Sequence, residues 1–178
     1  MINDIINADK TFSESTFLSN VDHIFIMLLN AIENNDIESV KHYLANDIYV
    51  RYKEMCDEYK SKGVKRLFDE KNVKTSRITG SMITDYFMTI DVTLVARYMD
   101  YFVDEKNKYV SGEDMKRIQK TYKLSLTKMR KHKDLGEIRH CPYCGNSLDL
   151  NNSGVCDYCR KSFNMEDFGY LVTYLSEV

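Results

Sequence analysis

An α+β fold is predicted for this chain. Three N-terminal helices should pack on a long, curved antiparallel sheet that forms a cone, and a small zinc ribbon should follow at the C-terminus. Three observations predict it. Apolar residues recur at helical spacing through the first third of the chain. They alternate with period two between residues 86 and 130. Two Cys-x-x-Cys pairs come after that.

The first helix is expected over residues 13–33. Thr11-Phe12-Ser13-Glu14 supplies a capping-box pattern, with Ser13 as an alternative cap. Phe17, Val21, Ile24, Phe25, Leu28 and Ile32 make one apolar stripe. Asn34-Asn35-Asp36 ends this helix and caps a short second one over residues 37–44. Asn46-Asp47 caps a third over residues 48–61, with Ile48, Tyr52, Met55 and Tyr59 on its buried face, and Gly63 stops it. Cys56 is a lone helix-face cysteine with no partner motif around it.

The period then changes. Residues 71–77 are polar and basic, and strand character begins at Ile78. From Tyr86 the even positions read Tyr, Met, Ile, Val, Leu, Ala, Tyr, whereas the odd positions are mixed. That is a long strand with one strongly apolar face. Residues 104–114 read as a polar loop with Ser111-Gly112 as its turn. A further strand over 116–130 turns Ile118, Tyr122, Leu124 and Leu126 inward, and residues 168–175 read as a last strand. The expected division is an N-terminal extension over 1–11, the cone over 12–134, and the ribbon with its terminal strand over 135–178.

Long strands wrapped around the first helix leave a pocket between the helix layer and the sheet. Tyr86, Met88, Ile90, Leu94, Tyr98, Tyr122, Leu124 and Leu126 are the residues expected to face it. An ordinary filled core is the competing reading of the same side chains, because Tyr and Met serve both adaptable surfaces and irregular cores.

Cys141-Pro142-Tyr143-Cys144 and Cys156-Asp157-Tyr158-Cys159 are separated by eleven residues. Two such turns can present four sulfurs to one tetrahedral ion, and zinc is the usual occupant; iron, redox dithiols and disulfides are the alternatives. Gly145 lets the first turn adopt positive φ. Arg160 holds the equivalent place after the second pair, so its backbone must be strained or differently turned. A closed four-sulfur site has no open position for substrate, so Cys141, Cys144, Cys156 and Cys159 predict a structural ion.

Composition narrows the function. A net charge of −2 over 178 residues provides no global field for nucleic acid or membrane. Residues 1–10 are polar and mixed, so no secretory leader is expected, and no stretch approaches the roughly 20 apolar residues of a membrane span. The expected location is the cytoplasm. The ribbon segment holds Arg139, Arg160 and Lys161 against Asp149, Asp157, Glu166, Asp167 and Glu177, an acidic balance that disfavours nucleic acid despite Tyr143 and Tyr158. Catalysis is disfavoured too, because the inner face of the longest strand carries no Asp, Glu or His. Lys116, Arg117, Lys120, Lys123, Lys128, Arg130, Lys131 and Lys133 form a stretch without an acid. It could meet anionic lipid at the inner face of the membrane, or could simply be a solvated strand face that resists edge pairing.

Helix, helix, helix and long strands, in that order, resemble the nuclear-transport-factor-two-like cone of the cystatin-like α+β superfamily. Phe12-Ser13-Glu14, the run Ala31-Ile32-Glu33-Asn34-Asn35-Asp36-Ile37-Glu38, the run Tyr98-Met99-Asp100-Tyr101-Phe102-Val103-Asp104-Glu105, and Val110-Ser111-Gly112 ahead of Met129-Arg130 narrow this. They resemble bacterial relatives of the C-terminal domain of translocase of the inner membrane subunit 44, some of which carry a Cys-Pro-x-Cys-Gly ribbon next. The resemblance implies a non-enzymatic scaffold with a protein partner, peripheral contact with the membrane, and no catalytic residues. A homodimer through the odd-numbered sheet face (Phe87, Val95, Met99) is a further expectation.

Overall fold

The computed structural model describes residues 2–130, 146, 156, 158–160 and 169–178. Helices α1 (Ile2–Ala8), α2 (Glu14–Glu33) and α3 (Asn46–Ser61), with a 3-10 helix at Ile37–Tyr43 between the last two, come first. Strands β1 (Val64–Ile83), β2 (Phe87–Asp104), β3 (Tyr109–Met129) and β4 (Tyr170–Glu177) follow. They form one sheet in the order β1-β2-β3-β4, each neighbouring pair antiparallel.

Ser13 caps α2, its hydroxyl accepting the Thr16 N–H at 3.4 Å. The box built on Thr11 does not form, because Thr11 turns back to the Asp9 carboxylate. At the other end Asn35 takes a left-handed φ of 53°, which Asn tolerates better than most residues. Against the expectation from sequence, α2 is long and apolar enough to cross a membrane by length and composition. Its stripe of Phe17, Val21, Ile24, Phe25, Leu28 and Ile32 is buried in the main core instead. The segment read as an extension holds α1, whose Ile5 is fully buried in that core.

Strand β2 alternates as predicted. Met88, Ile90, Val92, Leu94, Ala96 and Tyr98 are buried under the helices, while the odd positions stay half-buried on the outer face. Strand β1 departs from prediction. It begins at Val64, fourteen residues before Ile78, and runs through the polar stretch. It is an edge strand whose only fully buried side chains are Phe68 and Ile78. Three irregularities, between Asp69/Asn72, Val73/Thr75 and Ile78/Gly80, interrupt its register with β2. Each bulge bends the strand and resets which face a residue points to, which erases the alternation. Polar side chains on such an edge also deter pairing with other chains.

Ser111-Gly112 is not a turn. The reversal is at Asp104, whose carboxylate accepts the N–H groups of Lys106 and Lys108. Gly112 lies inside β3 opposite Tyr101, with φ +104°, and a Cβ there would sit 2.5 Å from the Asp100 carbonyl oxygen. Strand β4 pairs with β3 and buries Tyr170, Val172 and Leu175 in the same core as the helices. The segment between Met129 and Tyr170 is therefore an insertion between adjacent strands of one sheet.

Candidate functional site

A cavity of about 380 Å³ opens between α2, α3 and the sheet. The α2 stripe supplies Phe25, Leu28, Leu29 and Ile32, which lie within one helix face and are nearly inaccessible. On α3, Arg51, Tyr52 and Met55 reach the same space. Arg66 and Phe68 are two apart on β1 and so share a face, and Tyr122 closes the β3 side. Leu175, Ser176 and Glu177 of β4 form the last wall.

The polar side of this cavity is a chain of charge pairs. Arg66 grips Asp100 with two bonds, Nε to Oδ1 at 2.8 Å and Nη2 to Oδ2 at 2.7 Å, and donates through Nη1 to the Tyr59 hydroxyl. Lys120 bridges Asp100 at 3.5 Å and Glu177 at 3.0 Å. Arg51 donates to the Leu175 carbonyl at 2.8 Å, tying α3 to β4. The Arg66 guanidinium also stacks on Phe68, 4.9 Å from the ring centre. Burial works against the charge on Arg66, but the bonds and charge of Asp100 more than offset it and raise its pKa.

Tyr98 and Tyr122 share a buried hydroxyl–hydroxyl hydrogen bond. Burial pushes the Tyr122 phenol up to about 12, and Tyr98 is raised as well by burial and by that bond. Both phenols stay protonated near neutral pH, which suits a structural bond better than proton transfer. Burial likewise pushes the Cys56 thiol up to about 11, far from a thiolate nucleophile.

Of the eight residues expected to face a pocket, Tyr122 alone lines the cavity. Met88, Ile90, Leu94, Tyr98, Leu124 and Leu126 are packed in the filled core. Tyr86 lies beyond the start of β2 and is 59% exposed, because the hairpin ends the alternation that was extended through it. Arg51, Tyr52, Met55, Arg66 and the β4 wall were not foreseen as lining. The i, i+2 pair Arg66 and Phe68 was the available signal, in a segment between Gly63 and residue 71 to which no element was assigned.

The basic stretch is largely neutralised. Arg117 meets Glu70 at 3.4 Å, Lys128 meets Asp9 at 2.9 Å, Lys120 holds Asp100 and Glu177, and Lys116 lies 4.0 Å from Glu113. Arg130 donates to the Thr84 carbonyl, and Lys123 is exposed. Lys131 and Lys133 lie outside the described residues.

Cys141 and Cys144 also lie outside them. The second pair is placed: Cys156 is fully buried against Leu171, with Met129 and Cys159 packed beside it. Arg160 does adopt the left-handed region, φ 60°, and its N–H bonds the Cys156 carbonyl at 2.9 Å. This turn closes on an arginine in a backbone region that non-glycine residues seldom adopt. Among the described residues no three His, Cys, Asp or Glu side chains come together as a metal group.

A family model described as the Tim44-like domain matches residues 1–136. No curated protein matches the chain. Among solved structures, the intermembrane space region of the chloroplast protein ARC6 is similar in fold, with a TM-score of 0.51 at 10% identity, covering 94% of this chain and 97% of that one. At that coverage the likeness runs past the segment matched by the family model. The chain belongs to the Tim44-like domain family.

Proposed function

We propose that this chain is a non-catalytic binding and scaffold module, peripheral to a membrane, whose cavity takes the apolar tail of a single-chain amphiphile. One observation carries the reading. The cavity has a floor of Phe25, Leu28, Leu29, Ile32 and Phe68 and a polar side of Arg51, Arg66, Ser176 and Glu177. An apolar tail would displace water from the floor, and a polar head would meet the charged side. About 380 Å³ lies within the ~300–1,000 Å³ of small-molecule sites. The family supports a scaffold role with a protein partner.

The four cysteines hold a structural zinc in this reading. The described half of the donor set fits it: Cys156 and Cys159 sit on a tight turn closed by Arg160, against an apolar seat. Zinc there would supply cross-linking of the inserted segment, not chemistry on a substrate.

Native mass spectrometry of gently purified protein tests both parts. The expected species is one chain with one zinc and a small apolar ligand that is lost on unfolding. A bare chain that also refuses added long-chain fatty acid would refute the cavity reading.

A further inference from the structure

The sheet has a second face, turned away from the helices and from the cavity. On β2 it carries the odd positions, and the register sets their neighbours. Arg97 lies between Asn72 on β1 and Gln119 on β3. Two rows along, Thr93 lies between Arg77 and Lys123. Lys74 falls at the register shift between Val73 and Thr75, and its Nζ reaches across to the Gln119 Oε1 at 3.3 Å, over the Arg97 row. Two strand spacings and four residues of rise set the size of this cationic patch, roughly 10 Å by 13 Å.

Elsewhere the protein pairs its half-buried cations. Arg66, Lys71, Lys120 and Lys128 each meet a carboxylate. Among the described residues, Lys74, Arg77, Arg97 and Lys123 form no ion pair. The Arg97 Nε is buried with no hydrogen-bond partner. A guanidinium short of acceptors in a half-buried place is costly, and an incoming carboxylate lowers that cost. Asp69 and Asp91, at the two ends of the patch, accept instead from the hydroxyls of Tyr101 at 2.6 Å and Ser125 at 2.7 Å.

We propose that this outer face docks an acidic, extended segment of a protein partner. One of its carboxylates meets Arg97 and Lys74, and another meets Arg77 and Lys123. In an extended chain, side chains four residues apart lie on the same side at a spacing of about 13 Å, which matches the two cationic rows. Thr75 and Thr121, on either side of Val95, supply hydroxyls between those rows. The same three rows hold no aromatic ring on which a base could stack, which disfavours nucleic acid. Val95 at their centre is half-buried, so no apolar side chain stands out to enter a lipid surface. A homodimer through this face would bring two net-positive patches together. The acidic partner extends the scaffold reading above and is independent of what fills the cavity.

The test is fluorescence anisotropy of a fluorescein-labelled hexaglutamate peptide titrated with the full chain at low ionic strength. Saturable one-to-one binding is expected. Arg77→Gln with Lys123→Gln, both exposed, should weaken it by about tenfold or more, and Arg97→Gln should do so by about fivefold. Lys53→Gln with Lys60→Gln on α3 removes the same charge from the helix layer and should change it by less than about twofold. All variants should keep native circular dichroism and the native response to a fluorescent long-chain fatty acid. Equal peptide binding by every variant is non-specific attraction and overturns the assignment of the face. No peptide binding by the native protein overturns the proposal, and fatty-acid binding in the same preparation then leaves the cavity reading standing. Oligothymidylate, or phosphatidylglycerol vesicles, held more tightly than the peptide and released by Arg77→Gln with Lys123→Gln would overturn the protein partner.

Discussion

Removing the Asp100 carboxylate should destabilise the protein by about 2–3 kcal/mol. The Asp100 side chain is 9% exposed and that of Arg66 21%, and they meet through two short bonds. Breaking a buried ion pair by deleting one partner costs ~3–5 kcal/mol, because the other charge stays behind without compensation. Arg66 keeps some contact with water and the Tyr59 hydroxyl, which reduces that figure. For a chain of this size ~2–3 kcal/mol lowers the melting temperature by roughly 4–12 °C. The assay is urea denaturation of Asp100→Ala, Arg66→Met and the double variant, read as a coupling energy. The apolar replacement Arg66→Met with Asp100→Leu should recover most of the loss. A coupling energy below ~0.5 kcal/mol, the value for an exposed pair, would refute this account of the cavity rim.

Gly112→Ala should cost about 2–3 kcal/mol in urea denaturation, since alanine is strained at φ +104° and its Cβ meets the Asp100 carbonyl. Asp9, which ties the end of α1 to Lys128 on β3, should make the fold acid-sensitive. Burial opposes its charge, but the Thr11 and Lys128 bonds outweigh this and hold its carboxyl below the usual 3.8. The stabilisation is complete above that value and is lost as pH falls through the lower folded one, so Asp9→Asn should flatten the thermal stability profile in that acidic range. Cys156→Ser should lose stoichiometric zinc, measured by metal analysis of the purified protein, whereas Cys56→Ser should keep it.

Elements with one apolar partner face were legible in the sequence. The stripe on α2 and the even positions of β2 face each other across the core, so each shows an undisturbed period. Strand β1 was not legible, because it is an edge whose bulges at Asp69/Asn72, Val73/Thr75 and Ile78/Gly80 shift parity. The first third of β3 was missed for a related reason: Tyr109, Val110 and Met115 are exposed, so burial imposes no pattern there. Alternation identifies what is inside, not where the inside fails to fill. Six of the proposed pocket residues were therefore core, and the cavity lies where Arg51 and Arg66 replace apolar side chains. The Cys156–Cys159 turn was legible from spacing alone, including the unusual backbone at Arg160, but its seat on the β3–β4 seam was not. Nothing in the sequence of the insertion states that β4 returns to the same sheet.

The most direct test of the cavity as a binding site is a titration with a fluorescent long-chain fatty acid against the native protein and Leu28→Trp. Leu28 lies on the apolar floor, where a larger ring would occupy the space. Saturable one-to-one binding that Leu28→Trp abolishes, while its circular dichroism stays native-like and its cooperative melting falls by no more than the roughly 2–12 °C that overpacking a buried site costs, is the predicted result. Equal binding by a folded Leu28→Trp, or no binding by the native protein, would contradict it.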